Sequence, residues 1–184
     1  MNILVSIDDT DDLERSTSTG ELAKTVAAII KDHGWGTCRP ITRHQLLIHP
    51  DIPYTSHNSS MCFAADLADQ YLAPFIEETE TILAGQSAPG SDPGLCVAVV
   101  ERLTDPELLI EFGRKAQKQV LTKQEAYDLA AKLPAHLSEH GGTGQGVIGA
   151  LAGAGLRLSG NDGRFQGKLK ITPAADGTAK VGDI

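Results

Sequence analysis

Ile3-Leu4-Val5-Ser6-Ile7-Asp8-Asp9-Thr10-Asp11-Asp12 begins as an apolar segment and ends as a cluster of four aspartates. Its Ile, Leu and Val residues predict a buried β-strand. In α/β folds, ligands bind where the polar residues after such a strand emerge. Crowded carboxylates repel one another, and a divalent cation between them relieves the repulsion. The stretch therefore predicts either a Mg²⁺ site that serves a phosphate ligand or a solvated acidic turn that caps the next helix.

The composition is that of a globular protein with an acidic surface. The chain has 184 residues, of which 41% are hydrophobic, and a net charge of −8. It contains no run of Lys or Arg, and such runs supply most of the non-specific affinity for nucleic acids. The acidic balance therefore argues against tRNA as a partner of this chain.

Cysteine usage and the N-terminus indicate the compartment. Cys38, Cys62 and Cys96 are widely spaced without a C-x-x-C pair, which favours reduced thiols over a disulfide framework or a zinc site. The N-terminus lacks the pattern of a signal peptide, and no apolar segment approaches the roughly 20 residues that span a bilayer. We therefore expect a cytoplasmic protein without a membrane partner.

The pattern of apolar strands and amphipathic helices predicts an α/β fold, a mixed sheet covered by helices. Ser18 or Thr19 is the expected N-cap of a helix that ends near Gly34. Residues 95–100 form a continuous apolar run, as expected for a strand buried on both faces. A Thr-x-x-Glu capping box at Thr122 begins a later helix.

A glycine-rich loop near the end of the chain has two interpretations. Gly144-x-Gly146-x-x-Gly149 matches the spacing of the dinucleotide fingerprint, but that fingerprint must follow a strand, and residues 134–140 are polar. Glycines before a helix can expose N–H groups that hold an anion. The loop is therefore a phosphate site or a tight turn before close helix packing, and the acidic cluster favours the phosphate interpretation. Short β segments are predicted at 156–158 and 165–171.

Four stretches, taken in order, resemble the archaeal agmatidine synthetases, which modify the anticodon cytidine of an isoleucine tRNA. They are Ile7-Asp8-Asp9-Thr10-Asp11 with Thr19 and a Leu-Ala helix, Arg43-x-x-Leu46-x-x-His49-Pro50-Asp51-Ile52-Pro53-Tyr54-Thr55, Ser91-Asp92-Pro93-Gly94, and Gly144-Gln145-Gly146-Val147-Ile148-Gly149-Ala150-Leu151-Ala152. Together these stretches extend over most of the chain.

The resemblance implies an ATP- and Mg²⁺-dependent, kinase-like ligase or transferase. In that family ATP phosphorylates the carbonyl oxygen of a cytosine, agmatine then displaces the phosphate, and a threonine early in the first helix is itself phosphorylated. The candidate residues are Asp8, Asp9, Asp11 and Thr19 for catalysis, the same three aspartates for the metal, and Thr10, Arg43, Gly144, Gln145, Gly146 and Gly149 for ATP. Arg43 is a phosphate clamp or the partner of an acid across the sheet.

These features predict phosphoryl transfer or ligation on a small-molecule acceptor. The alternatives are a non-catalytic nucleotide-binding regulatory domain and the catalytic subunit of a tRNA-modifying complex with its RNA-binding domains on a partner. A homo-oligomer or a partner subunit is left open. We expect one catalytic domain over residues 1–172, with a small lobe around 66–134, and a flexible tail over 173–184.

Overall fold

The computed structural model describes residues 1–11, 18–52 and 57–165. In chain order these residues form β1 (Asn2–Asp8), α1 (Thr19–Asp32), β2 (Gly36–Cys38), β3 (Thr42–Gln45), β4 (Ser59–Leu67), α2 (Leu72–Gln86), β5 (Gly94–Val99), α3 (Pro106–Ala116), α4 (Lys123–Ala130), β6 (Ala135–Glu139), α5 (Gly146–Leu158) and β7 (Arg164–Phe165). None of the described helices combines the length and apolar character that a membrane crossing needs. The expected tail, residues 173–184, lies outside the described residues, and the domain limits stay a prediction.

The strands form one sheet in the order β6-β5-β1-β4-β3-β7, with β2 also paired to β4. The α/β class predicted from the sequence is confirmed. Every strand pair among the described residues is antiparallel. Apolar content could not reveal the strand direction, because a strand covered on both faces is apolar whichever way its neighbours run.

Helices cover both faces of the sheet. Alternate residues of β1, Ile3, Val5 and Ile7, belong to the hydrophobic cluster that contains the buried residues of α1 and α2. Leu4 lies in the opposite cluster, with the buried residues of α3, α4 and α5. Because side chains alternate along a strand, Asp8 at the end of β1 is on the α5 side.

Two segments differ from the sequence-based predictions. Residues 135–139 form β6, a strand paired with β5, where no strand was predicted because residues 134–140 are polar. Their composition has weak strand propensity, so pairing with β5 decides the conformation. Residues 156–158 are the last residues of α5 instead of a strand, in keeping with the helix propensity of Leu and Arg. Phe165 lies in β7, and residues 166–171 are outside the described part of the chain.

Candidate active site

Asp8 ends β1 with its carboxyl group against the backbone of α5. A Cβ atom on Gly149 would lie 1.7 Å from Asp8 Oδ2 and 3.0 Å from Leu46 Cδ1, so only glycine fits at this position. The sequence explains this contact. The apolar strand β1 ends at Asp8, and the absence of a side chain on Gly149 leaves room for the Asp8 carboxyl group against α5. The structure thus brings the opening carboxylates and the late glycine segment together.

A cleft of about 750 Å³ opens at this end of the sheet. Its volume is in the range of small-molecule sites, roughly 300–1,000 Å³. Most of the sequence-predicted site residues line it, namely Asp8, Asp9, Asp11, Thr19, Arg43, Gln145, Gly146 and Gly149. Segments far apart in the chain therefore meet at one concave surface.

Two residues predicted to bind ATP do not line the cleft. Thr10 is buried, and its carbonyl accepts a hydrogen bond from the Ala88 N–H at 2.9 Å. Gly144 has a φ of 77° and packs against the Lys123–Glu139 ion pair. Gly144 therefore forms the turn that leads into α5, and its left-handed backbone explains why glycine stands there.

Backbone N–H groups around the start of α5 already donate within the protein. The Thr143 N–H donates to Asp92 Oδ1, and the Gly146 N–H donates to Asp92 O at 3.1 Å. The Ile148 N–H donates to Gln145 O at 3.0 Å. The segment therefore has fewer free N–H groups than its glycine-rich sequence indicated. An anion can still approach the positive end of α5.

Burial favours the neutral form of two carboxyl groups in the cleft. It raises the pKa of Asp8 well above its usual value, and the charges of Asp9 and Asp11 raise it further. The pKa of Asp9 is raised to about 6. Burial is the largest cause, and the charges of Asp92 and Asp11 raise this pKa further. A cation in the cleft would favour the ionised form of both carboxyls.

Asp92 is a buried residue beside the acidic cluster that the sequence did not single out as functional. Its Oδ2 accepts a hydrogen bond from Thr143 Oγ1 at 2.6 Å, and its charge raises the pKa of the Asp9 carboxyl. Asp92 thus links the acidic cluster to the turn before α5. The available signal was its position in Ser91-Asp92-Pro93-Gly94, one of the four stretches of the resemblance.

Thr19 is the first residue of α1 and faces the same cleft. Ser18 is the N-cap, and its Oγ accepts a hydrogen bond from the Glu21 N–H at 3.3 Å. The Thr19 N–H donates to Asp11 Oδ2 at 3.4 Å. Because Ser18 serves as the cap, the hydroxyl of Thr19 is not needed for that purpose.

The described residues contain no three His, Cys, Asp or Glu side chains placed to hold a metal ion. Asp8 lies against α5, whereas Asp11 contacts the start of α1. Mg²⁺ is usually bound by one or two carboxylates together with phosphate oxygens and water. The oxygen donors here therefore fit a Mg²⁺ ion that arrives with a phosphate ligand better than a complete protein cage.

Comparisons with known proteins identify solved structures that share this fold. No family model and no curated protein matches the chain. Among solved structures, a complex of TiaS with an isoleucine tRNA and ATP matches at a TM-score of 0.70 and 26% identity. A complex with an isoleucine tRNA, AMPCPP and agmatine matches at a TM-score of 0.68 and 25% identity. The chain has the fold of tRNA-Ile agmatidine synthetase. The resemblance inferred from the sequence is thereby confirmed.

The match to these agmatidine synthetase structures is partial. Each of the two covers 84% of this chain and 36% of the solved protein. A tRNA fluorescent labelling enzyme matches with the same coverage, a TM-score of 0.70 and 26% identity. The chain therefore spans about a third of the length of the structures it matches.

Proposed function

We propose that this chain carries out ATP-dependent phosphoryl transfer in a reaction related to that of tRNA-Ile agmatidine synthetase. The observation that carries the proposal is the contact of Asp8 with Gly149 in a cleft that Thr19 also lines. The similar solved structures that contain ATP or AMPCPP support a nucleotide as the ligand of this cleft.

Asp8 and Asp9 are the proposed Mg²⁺ ligands. Asp8 is buried and Asp9 is half-buried, and the raised pKa values of both carboxyls indicate that a cation would stabilise their ionised form. Asp11 instead contacts the start of α1, so its proposed role is at Thr19. When bound, Mg²⁺ supplies positive charge that offsets the charge developing on the transferred phosphoryl group.

Gln145, Gly146 and Gly149 are the proposed wall for the ATP phosphates. Glycine at positions 146 and 149 lets the Asp92 carbonyl and the Asp8 carboxyl pack against α5, which brings the acidic cluster to the start of this helix. The positive end of the helix then favours the negative charge of the phosphates.

Thr19 is the proposed first acceptor of the γ-phosphoryl group. Its Oγ1 forms a bond to the γ-phosphorus as the bond to the β–γ bridging oxygen breaks, and ADP leaves. The hydroxyl proton passes to a nearby carboxylate, for which Asp11 is the candidate. Activation of the Thr19 hydroxyl and placement of the phosphoryl group then both depend on the start of α1.

RNA is the proposed final acceptor, because two of the similar solved structures contain an isoleucine tRNA. A small-molecule acceptor is the second candidate. The net charge of −8 favours it, since nucleic-acid binding depends on neutralisation of phosphates by Lys and Arg. An RNA acceptor on this chain therefore requires a local cluster of positive charge.

The test is transfer of labelled phosphate from γ-³²P-ATP in the presence of Mg²⁺. We expect label on Thr19, and its loss in the Thr19→Val variant. Asp8→Asn should lower the transfer rate about 100-fold or more, because one electrostatic contact in a phosphoryl-transfer site is lost. Further turnover should appear on addition of the tRNA acceptor or of a small carbonyl compound, which separates the two candidates.

Asp66→Asn is the matched control. Asp66 pairs with Asn2 across β4 and β1, at the opposite end of the sheet from Asp8, and its side chain is 3.8 Å from Arg39. This variant removes the same charge and should transfer phosphate at the wild-type rate. Saturable ATP binding without any transfer by the wild-type chain would contradict the proposal and favour a regulatory nucleotide-binding domain.

A further inference from the structure

The turn that leads into α5 is held by two neighbours through one residue, Thr143. Asp92 accepts hydrogen bonds from the Thr143 N–H and, at 2.6 Å, from Thr143 Oγ1. Lys123 Nζ donates a hydrogen bond to the Thr143 carbonyl oxygen at 2.9 Å. The N–H, the hydroxyl and the carbonyl of this residue thus each have a partner. The position of the turn therefore depends on Lys123 as well as on Asp92.

Lys123 connects this turn to two other elements of the fold. It is the first residue of α4, and its Nζ lies 2.8 Å from Glu139 Oε2 at the end of β6. The Tyr127 hydroxyl donates to Glu139 Oε1 at 3.4 Å, which helps to orient the carboxylate. The hydrogen bond to Glu139 raises the pKa of Lys123, so the ammonium group stays charged at neutral pH. A charged donor thus links α4, β6 and the turn before α5.

Gly144 shows how closely the turn packs against this ion pair. A Cβ atom at that position would overlap Glu139 Oε2 and would lie 2.9 Å from Lys123 Nζ. The backbone of Gly144 is also left-handed, with a φ of 77°. Any side chain here would displace the ion pair or the turn, so the ion pair and the turn fit each other as one unit.

The place of Lys123 within α4 indicates a role outside its own helix. The first turn of a helix favours acidic side chains, because its N–H groups carry partial positive charge. The capping box of Thr122 and Glu125 already satisfies this end of α4. A lysine at the first helical position adds nothing to that cap, whereas its bonds to Glu139 and Thr143 join α4 to its surroundings.

The turn directly precedes the proposed phosphate wall. Thr143 lies two positions before Gln145, and Gln145 and Gly146 line the cleft. Lys123 and Glu139 are not among the lining residues. Because the backbone is continuous, a shift of the Thr143 carbonyl would also displace the start of α5. Small displacements of groups that hold a substrate can cost a large part of their effect.

A pure charge effect of Lys123 on a bound anion is the competing explanation. The Lys123 and Glu139 side chains keep 34% and 42% of their exposure, so water and salt screen their charges. Their opposite charges also offset each other beyond the pair. The hydrogen bond to Thr143, in contrast, acts on the backbone itself and does not depend on distance to the ligand.

We propose that Lys123 is a positioning residue for the nucleotide site, which it serves by holding the turn before α5 through the Thr143 carbonyl. The inference rests on the proposed function and adds to it a residue outside the cleft. The feature that decides it is an ion-paired donor bonded to the backbone of the turn, from an element that does not touch the ligand.

Calorimetric binding of Mg²⁺ with the ATP analogue AMPCPP to Lys123→Met tests the inference. Methionine keeps most of the side-chain length and removes the charge and the donors. We expect the affinity to fall about fivefold or more, a size common for coupling between separate sites. Lys123→Arg keeps the charge and the donors and should recover most of the affinity.

Lys115→Met is the matched control. Lys115 Nζ lies 2.8 Å from Glu125 Oε1, and this ion pair has a similar exposure but joins α3 to α4 away from the turn. Both Met variants lose one exposed ion pair and should have thermal unfolding midpoints that agree closely, because such pairs contribute little to stability. Lys115→Met should bind AMPCPP as the wild type does.

Two further measurements separate positioning from charge and from the proposed function. Lys123→Met/Glu139→Gln removes the acid that the single variant leaves unpaired, and we expect its affinity to stay low. In Lys123→Met, hydrogen exchange of the Thr143 and Gly146 amides, both bonded to Asp92, should accelerate while β1 stays unchanged.

Three results would overturn the inference: wild-type affinity in Lys123→Met, recovered affinity in the double variant, or unchanged exchange of the two amides. Failure of the wild type to bind AMPCPP would instead contradict the proposed function. The exchange rates would then still decide whether Lys123 holds the turn.

Discussion

Gly149 is the residue at which the fold and the cleft depend most directly on each other. In Gly149→Ala the new Cβ would lie 1.7 Å from Asp8 Oδ2, so the carboxyl group or α5 must move. We expect a loss of about 1–3 kcal/mol in the free energy of unfolding, the usual range for overpacking. Affinity for Mg²⁺ with AMPCPP should fall about tenfold or more, which corresponds to roughly 1.4 kcal/mol. Calorimetry and denaturant titration measure the two effects.

Gly85→Ala is the matched control for this substitution. Gly85 lies in α2, and nothing lies within 4 Å of a Cβ placed there. Alanine should stabilise the helix by about 0.5–1 kcal/mol and leave nucleotide affinity unchanged. Wild-type nucleotide affinity in Gly149→Ala would mean that the contact with Asp8 does not shape the site.

At the residue scale, local sequence signals and the resemblance predicted residues that the structure places at the cleft. Asp8, Asp9 and Asp11 come at the end of an apolar strand, and Thr19 was assigned through the resemblance, so these four residues could be named before any fold was known. Asp92 could not, because its position beside Asp9 depends on the packing of the turn before α5 against a distant segment. The same is true of Thr10 and Gly144, which neighbour site residues in sequence but pack elsewhere.

At the scale of elements, β7 is the segment whose placement rests on the fewest residues. It has two residues, and the preceding turn is held by Asp162, which accepts hydrogen bonds from His44 and Gln117. In Asp162→Ala the buried imidazole keeps Thr42 Oγ1 at Nε2 but loses its partner at Nδ1, at a cost of about 1–3 kcal/mol. Hydrogen exchange should accelerate in residues 159–165 and stay unchanged in β1 and β5.

Asp128→Ala is the control for that change. Asp128 is exposed on α4, where its Oδ1 accepts a hydrogen bond from Gln124 Nε2 at 2.7 Å. Its loss should leave exchange in residues 159–165 at the wild-type rate. Unaltered exchange in Asp162→Ala would show that β7 is held by other contacts.

The sequence predicted well those helices and strands that depend mainly on their own residues. The capping box of Thr122 and Glu125 begins α4 as expected, and the apolar run 95–100 corresponds to β5. The strand β6 was missed because pairing with β5, not its own composition, makes it a strand. The strand directions could not be predicted from the sequence for a related reason. Both faces of the sheet are covered, so the strands are apolar whichever way they run.

At the scale of the whole molecule, the central claim is that the end of β1 and the start of α5 form one nucleotide site. β1 lies between β5 and β4 in the sheet, and α5 packs on the face that carries Leu4, together with the buried residues of α3 and α4. The cleft opens where β1 ends and α5 begins. A ligand held there would contact segments that the sequence separates by most of its length.

Paramagnetic broadening by Mn²⁺ with ATP in an NMR spectrum of the chain is the most direct test of that claim. Mn²⁺ takes the place of Mg²⁺ and broadens amide signals near the bound nucleotide. The account predicts that the amides of residues 8–11 and of residues 145–149 broaden together at the same concentration, and that those of β2 and α2 stay sharp. Broadening of only one of the two segments, or of a surface elsewhere, would contradict the shared site.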